Sequence, residues 1–136
     1  MDLAKYETLG NDAHISVRSY RKNGESVDTP VWYCRLENDI YLRTVRSSAK
    51  VRRLEARGKA AFAPCRWNGE VTGEWRSARV DILPDDHPLI PELNAKMDAF
   101  YGDYRREMTE LMELMEQLGK PLCFVKLSPE PGGEQY

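Results

Sequence analysis

Long apolar runs are missing from this 136-residue sequence, so no segment reads as a helix able to cross a bilayer. The opening stretch, MDLAKYETLGNDAH, lacks the apolar core of a secretory signal, and a cytoplasmic protein is expected. Histidine is scarce. His14 and His87 stand far apart with no neighbours suited to a catalytic pair, so both are expected to be structural or exposed. Cysteine is scarce too. Cys34, Cys65 and Cys123 are an odd number at wide spacing without a CxxC pair, which excludes a disulfide framework and a zinc site. Each lies in an apolar run, where a free cysteine acts as a small hydrophobe, and no metal site is expected. Charge of one sign is also lacking: 20 Lys and Arg face 22 Asp and Glu. A dedicated nucleic-acid binder carries a marked basic excess, so neither nucleic acid nor membrane is an expected partner.

What is present fits one domain over 1–136, with a core from 13 to 128 and a tail from 129 to 136. HISVRSYR (14–21) alternates apolar and polar residues. Asn23-Gly24 then gives a strong hairpin signal before VDTPVWYCRLE (27–37). Pro30 cannot donate to a ladder, so it marks a bulge or an unpaired edge. Asn38-Asp39 predicts a second tight turn into IYLRTV (40–45), and Asn68-Gly69 a third between residues 59–67 and 71–83. SSAKVRRLEARG (47–58) reads as a short helix, with Ser47 or Ser48 as its cap and Gly58 as its stop. Residues 87–119 carry a helical stripe from Ile90 through Met97 to Leu118, with Gly102 as a break point. LCFVKL (122–127) closes the order β-β-β-α-β-β-α-β. Tight turns make the linked strands antiparallel, and the closing strand favours a barrel over an open sheet.

One segment concentrates chemistry. Residues 43–57 hold five arginines and one lysine, while acids gather in residues 85–117. In Thr44-Val45-Arg46-Ser47-Ser48-Ala49-Lys50 a strand ends, a Ser-rich loop turns and a helix opens on a lysine. A helix N-terminus presents unpaired N–H groups and a positive dipole end, which disfavours a lysine unless an anion is there. Thr44, Ser47 and Ser48 can donate hydroxyl hydrogen bonds to the same anion, and Arg53 can add charge. A capped surface helix with a solvated basic face is the alternative.

From Ser19 to Leu83 the sequence resembles the pyridoxamine 5'-phosphate oxidase-like flavin and deazaflavin split-barrel oxidoreductases, most closely the subgroup using coenzyme F420. The resemblance is carried by Tyr20-Arg21-Lys22-x-Gly24-x-x-Val27-x-Thr29-Pro30-Val31-Trp32 and by Tyr41-Leu42-x-Thr44. It continues through Ser48-x-Lys50-Val51-x-Arg53-Leu54, Ala63-Pro64-Cys65-Arg66 and Gly73. It implies a mainly β fold: a six-stranded antiparallel split barrel of the FMN-binding type, with a short helix after strand 3 and a long helical segment before the last strand. It also implies FMN or coenzyme F420 as cofactor, with the phosphate on Thr44, Ser48 and Lys50. The ring would lie along the backbone of Thr29, Pro30, Val31 and Trp32. Trp75, contributed by the fifth strand of the other subunit of a homodimer, would close the pocket.

Two departures stand out. Asp28 occupies the region where pyridoxamine phosphate oxidases carry a phosphate-binding arginine, and the LSPEPGGEQY ending has no arginine. The expected function is hydride transfer between the cofactor and a small-molecule substrate. Such chemistry resides in the cofactor, so the absence of a triad or a P-loop does not oppose it. A non-catalytic carrier or sensor of the cofactor is the alternative. Arg43, Arg46, Arg52, Arg53 and Arg57 are candidates for a groove that holds the acidic tail of F420.

Overall fold

The computed structural model describes residues 14–66, 68–101, 110 and 113–130. Six strands form in the expected order: β1 His14–Tyr20, β2 Ser26–Leu36, β3 Asp39–Val45, β4 Lys59–Pro64, β5 Arg76–Ile82 and β6 Leu122–Pro129. They close into an antiparallel barrel in the order β1-β2-β3-β6-β5-β4. Helix α1, Ala49–Arg57, follows β3, and helix α2, Ile90–Tyr101, precedes β6. Residues 113–117 are also helical. No helix among the described residues is long and apolar enough to cross a membrane.

Gly24 and Gly69 both take φ +91°, which supplies the left-handed residue that the Asn-Gly hairpins need. The second turn falls one residue earlier than expected. Leu36 pairs with Asp39, so Glu37-Asn38 makes the turn with Glu37 at φ 59°, and Asp39 already belongs to β3. The fourth and fifth strands are shorter than their alternation predicts. The tip bridges Cys65 to Val71, whereas the ladder proper joins Phe62 to Arg76, an offset of two residues. Gly73 sets that offset by packing against Pro64; a Cβ at Gly73 would lie 2.5 Å from Pro64 Cγ. Trp75 therefore stands just before β5 rather than within it.

Inward-facing residues of all six strands fill the barrel, led by Phe62, Ile15, Ile40, Leu42 and Leu127. Burying one such side chain stabilises by about 1.5–3 kcal/mol. Helix α1 plugs one end with Val51 and Leu54, both inaccessible to solvent. Its caps are those the sequence offers: Ser48 Oγ accepts from Val51 N, and Gly58 adopts φ 65° at the C-terminus.

Helix α2 lies outside the barrel, with Leu93 and Met97 packed on Cys34, Tyr41 and Phe124. The predicted stripe does not continue as core to its end, because Leu118 is exposed. Gly102 and the stripe residues Tyr104, Met108 and Leu111 lie outside the described residues. So does Trp67. The three cysteines are free and buried, as expected. His14 opens β1 with its ring edge-on to Trp32, and His87 Nδ1 accepts from Leu89 N, so both serve structure.

Candidate functional site

The barrel is closed, yet β2 changes partner along its length. Residues His14 to Tyr20 of β1 pair with Trp32 back to Ser26, without a bulge at Pro30. The ladder to β3 covers only Tyr33–Leu36 against Leu42–Asp39. Beyond the Tyr33–Leu42 pair the two strands part. Thr29–Trp32 stay with β1, while Arg43–Val45 stay with β6. The facing edges of β2 and β3 thus border a split in which main-chain N–H and C=O groups have no ladder partner among the described residues. Pro30, lacking an N–H, sits on that unpaired edge, one of the two settings its presence predicted.

Side-chain parity sorts the residues around the split. Val31 packs on the barrel core and Trp32 on the outer cluster under α2. Thr29 shares the inward face with Val31, and Thr44 shares it with Leu42. Pro30 and Trp32 point outward, so they offer the split their backbone alone.

The N-terminus of α1 stands at this end of the barrel. Ser48 N donates to Val45 O at 3.1 Å, which turns the chain from β3 into the helix. Ser48 Oγ accepts from Val51 N at 3.3 Å and keeps its own hydroxyl hydrogen to give. The first turn holds no acid. Lys50 is half-buried and has no ion-pair partner among the described residues. Burial, and then the like charge of Arg53, push its ammonium below the ordinary lysine range, with Cys123 pulling weakly the other way. Cys123 pairs with Thr44 across the β3–β6 ladder, so Thr44, Cys123 and Lys50 gather at one corner of the split. Arg53 spans to β1, where its Nε donates to Ser19 Oγ at 2.8 Å. Ser47 is exposed in the turn before the helix.

Pairing and charge link Thr44, Lys50 and Arg53 on the β3 side of the split, with Ser48 capping the same helix, while Thr29 and Val31, with the backbone of Pro30 and Trp32, stand on its β2 edge. Trp75 is not among them within one chain. It lies on the outer wall, its ring 3.9 Å from the Arg18 guanidinium carbon, and Arg18 forms a two-pronged salt bridge to Asp28. Sequence reasoning missed Ser19, Cys123 and Arg18. Each owes its place to strand pairing rather than to a local motif.

The basic run is likewise divided. Arg43 faces outward from β3 and is buried under α2, donating to Asn94 Oδ1 at 2.9 Å and meeting Asp98 at 3.3 Å. That placement removes it from any groove with the α1 arginines. Arg46 pairs with Glu55, and Arg57 donates to the Arg21 carbonyl. A cavity of about 600 Å³ adjoins Arg43, but Asp85, Asp98, Glu113 and Glu116 line it. Four carboxylates repel a phosphate, so this cavity is not the predicted anion site.

No family model matches the chain, and no curated protein matches it. Solved structures do match its fold. HutZ, a heme storage protein from Vibrio cholerae, superposes with a TM-score of 0.69 at 12% identity, covering 96% of this chain and 89% of that one. A pyridoxamine 5'-phosphate oxidase-related, FMN-binding protein from Nostoc punctiforme gives 0.55 at 13% identity, with coverage of 93% and 75%. An F420 reductase gives 0.50 at 14% identity, with coverage of 88% and 87%. The chain has the split-barrel fold of the pyridoxamine 5'-phosphate oxidase-like, FMN-binding proteins.

Proposed function

We propose that this chain binds a flavin-type cofactor, FMN or the deazaflavin F420, in the split between β2 and β3. On this reading it works as an oxidoreductase on a small organic substrate. One observation carries the proposal: the β2–β3 ladder stops at Tyr33–Leu42, and the opened edges meet a helix N-terminus whose lysine lacks a counter-charge among the described residues. The residues fit a phosphate. The Ser48 and Thr44 hydroxyls can donate, the N–H groups opening α1 have no helical acceptor, and Lys50 and Arg53 supply charge. A phosphoryl group there relieves the repulsion between the two cations.

The unpaired edge at Thr29–Trp32 suits a flat polar ring, because main-chain groups can meet its heteroatoms while inward Val31 walls one side. When bound, the ring supplies the hydride chemistry. The chain's part is to anchor the phosphate, align the ring along β2 and keep water off it. A homodimer completes the site on this reading, with the partner subunit's Trp75 as cover. Flavin-binding and F420-using proteins of this fold support the reading.

The test is to titrate the protein with FMN and with F420, following absorbance and retention through dialysis. Retention of one of them, lost at least tenfold in Lys50→Ala, supports the proposal and selects the cofactor. Binding of neither overturns it. Turnover of the reduced complex with organic acceptors then separates an enzyme from a carrier, which would bind tightly and transfer nothing.

A further inference from the structure

A second cavity, of about 510 Å³, opens on the outer wall of the barrel, away from the split. Arg18, Ala61 and Ser77 line it from β1, β4 and β5, with Trp75 ahead of β5 and Arg57 and Lys59 flanking the turn from α1 into β4. Trp75 also serves the proposed cofactor site, as cover for the partner subunit's ring, and Arg57 was an expected member of the basic groove.

The walls are held in place by the protein itself. Asp28 receives both prongs of Arg18, at 2.8 and 3.0 Å, and Arg18 in turn lies 3.9 Å from the centre of the Trp75 ring. The indole is thereby fixed as a flat apolar wall. The two other cations are not neutralised. Arg57 gives one N–H to the Arg21 carbonyl at 2.9 Å and keeps the rest of its fork. Neither Arg57 nor Lys59 has an ion pair among the described residues. Asp28 is engaged by Arg18, and Glu130 is the one carboxylate among the lining residues. The cavity thus sets surplus positive charge beside an indole, with Ala60 and Ala61 also contributing small apolar surface.

Those two features select a ligand together. An inorganic anion would satisfy the cations and leave the indole and alanines against water. A neutral aromatic would leave the cations unused. A guanidinium fork matches the two oxygens of a carboxylate, and an indole matches a planar ring. We propose that this cavity binds a planar organic carboxylate, an aromatic or conjugated acid, with its ring beside Trp75 and its carboxylate on Arg57 and Lys59. The site shares Trp75 with the cofactor reading, which gives that indole to the partner's split, and is otherwise apart from it. Lys50 and Arg57 are seven residues apart on α1, about 10 Å along its axis.

Calorimetric titration of the full chain, without added cofactor, tests this with 2-naphthoate and its uncharged analogue 2-naphthamide. Saturable binding of the carboxylate is expected, at least tenfold weaker for the amide and at least tenfold weaker in Arg57→Ala, Lys59→Ala and Trp75→Leu. Arg57 and Lys59 are exposed, so those two variants keep their fold, which circular dichroism verifies. Arg52→Ala, on an exposed part of the same helix, is expected to bind as the unmodified chain does. Absence of saturable heat, or equal affinity for the amide, overturns the proposal. Loss of binding in Lys50→Ala without loss in Arg57→Ala also overturns it, since the ligand would then occupy the split.

Discussion

Arg53 Nε donates to Ser19 Oγ at 2.8 Å, tying the plugging helix to a strand 34 residues away in sequence. Ser19 is buried, at 1% exposure, so its hydroxyl has little access to water if Arg53 is removed. A hydrogen bond to a charged group contributes about 1.5–3 kcal/mol. Arg53→Ala is expected to lower unfolding stability by an amount in that range, and Ser19→Ala by less. A double-mutant cycle in urea should give a coupling of about 1 kcal/mol between them. Additive effects would mean that the bond contributes nothing to holding α1 over the barrel.

Lys50 gives the candidate site a pH signature. Its pKa in the folded chain lies below the ordinary lysine value of 10.5, chiefly through burial. Between the lowered value and 10.5 the unfolded chain binds more protons, so stability of the ligand-free protein rises with pH across that window. A bound phosphate favours the charged ammonium, so affinity is full below the lowered pKa and falls as pH climbs through it. Cofactor affinity measured against pH should therefore decline earlier on the alkaline side than an ordinary lysine would allow. Lys50→Arg should keep the affinity and lose that decline, and Lys50→Ala should bind weakly at every pH. An alkaline limb that persists in Lys50→Arg would assign the titration to another group.

Much of this arrangement was legible before folding. Asn23-Gly24 and Asn68-Gly69 announce hairpins because both glycines must reach positive φ, and Ser48 and Gly58 announce the ends of α1 because they satisfy its orphan groups. The Glu37-Asn38 turn was misread by one residue, since no glycine marks which position turns left-handed. The early ends of β4 and β5 follow from Gly73 against Pro64, a contact that alternation cannot express. The split itself came only through the family resemblance. Residue order says that β2 is extended, not that its two halves pair with different strands. Arg43 shows the same limit: a charge run in sequence joined residues that a strand and a helix send to different partners, Arg43 to Asn94 on α2 and Arg53 to Ser19 on β1.

Gly73 offers a steric test of the tip that carries Trp75. A methyl group there would meet Pro64 Cγ at 2.5 Å and Cδ at 3.2 Å, and a proline ring has little room to yield. Overpacking of this kind costs about 1–3 kcal/mol. Gly73→Ala should lower the urea midpoint accordingly and shift the tryptophan emission as the Arg18–Trp75 contact loosens. An unchanged midpoint would place Gly73 away from Pro64.

The three thiols should report on the same site. Burial raises the pKa of each, and that of Cys34 is pushed up to about 11. At pH 8 a thiol of that pKa is about one part in a thousand thiolate, so a thiol-disulfide reagent meets almost no nucleophile. Native protein is expected to react slowly with such a reagent, and denatured protein to titrate all three cysteines at once. The native reaction should begin at Cys123, which borders a cavity and whose thiolate Arg46 and Lys50 favour while burial, Asp85 and Glu55 oppose it. A phosphate on Lys50 withdraws that favour, so a saturating cofactor should slow Cys123 and leave Cys34 unchanged. Peptide mapping of the first labelled site, with and without cofactor, reads the result directly. Equal protection of Cys34 and Cys123 would mean that the ligand tightens the whole barrel rather than sitting at Lys50.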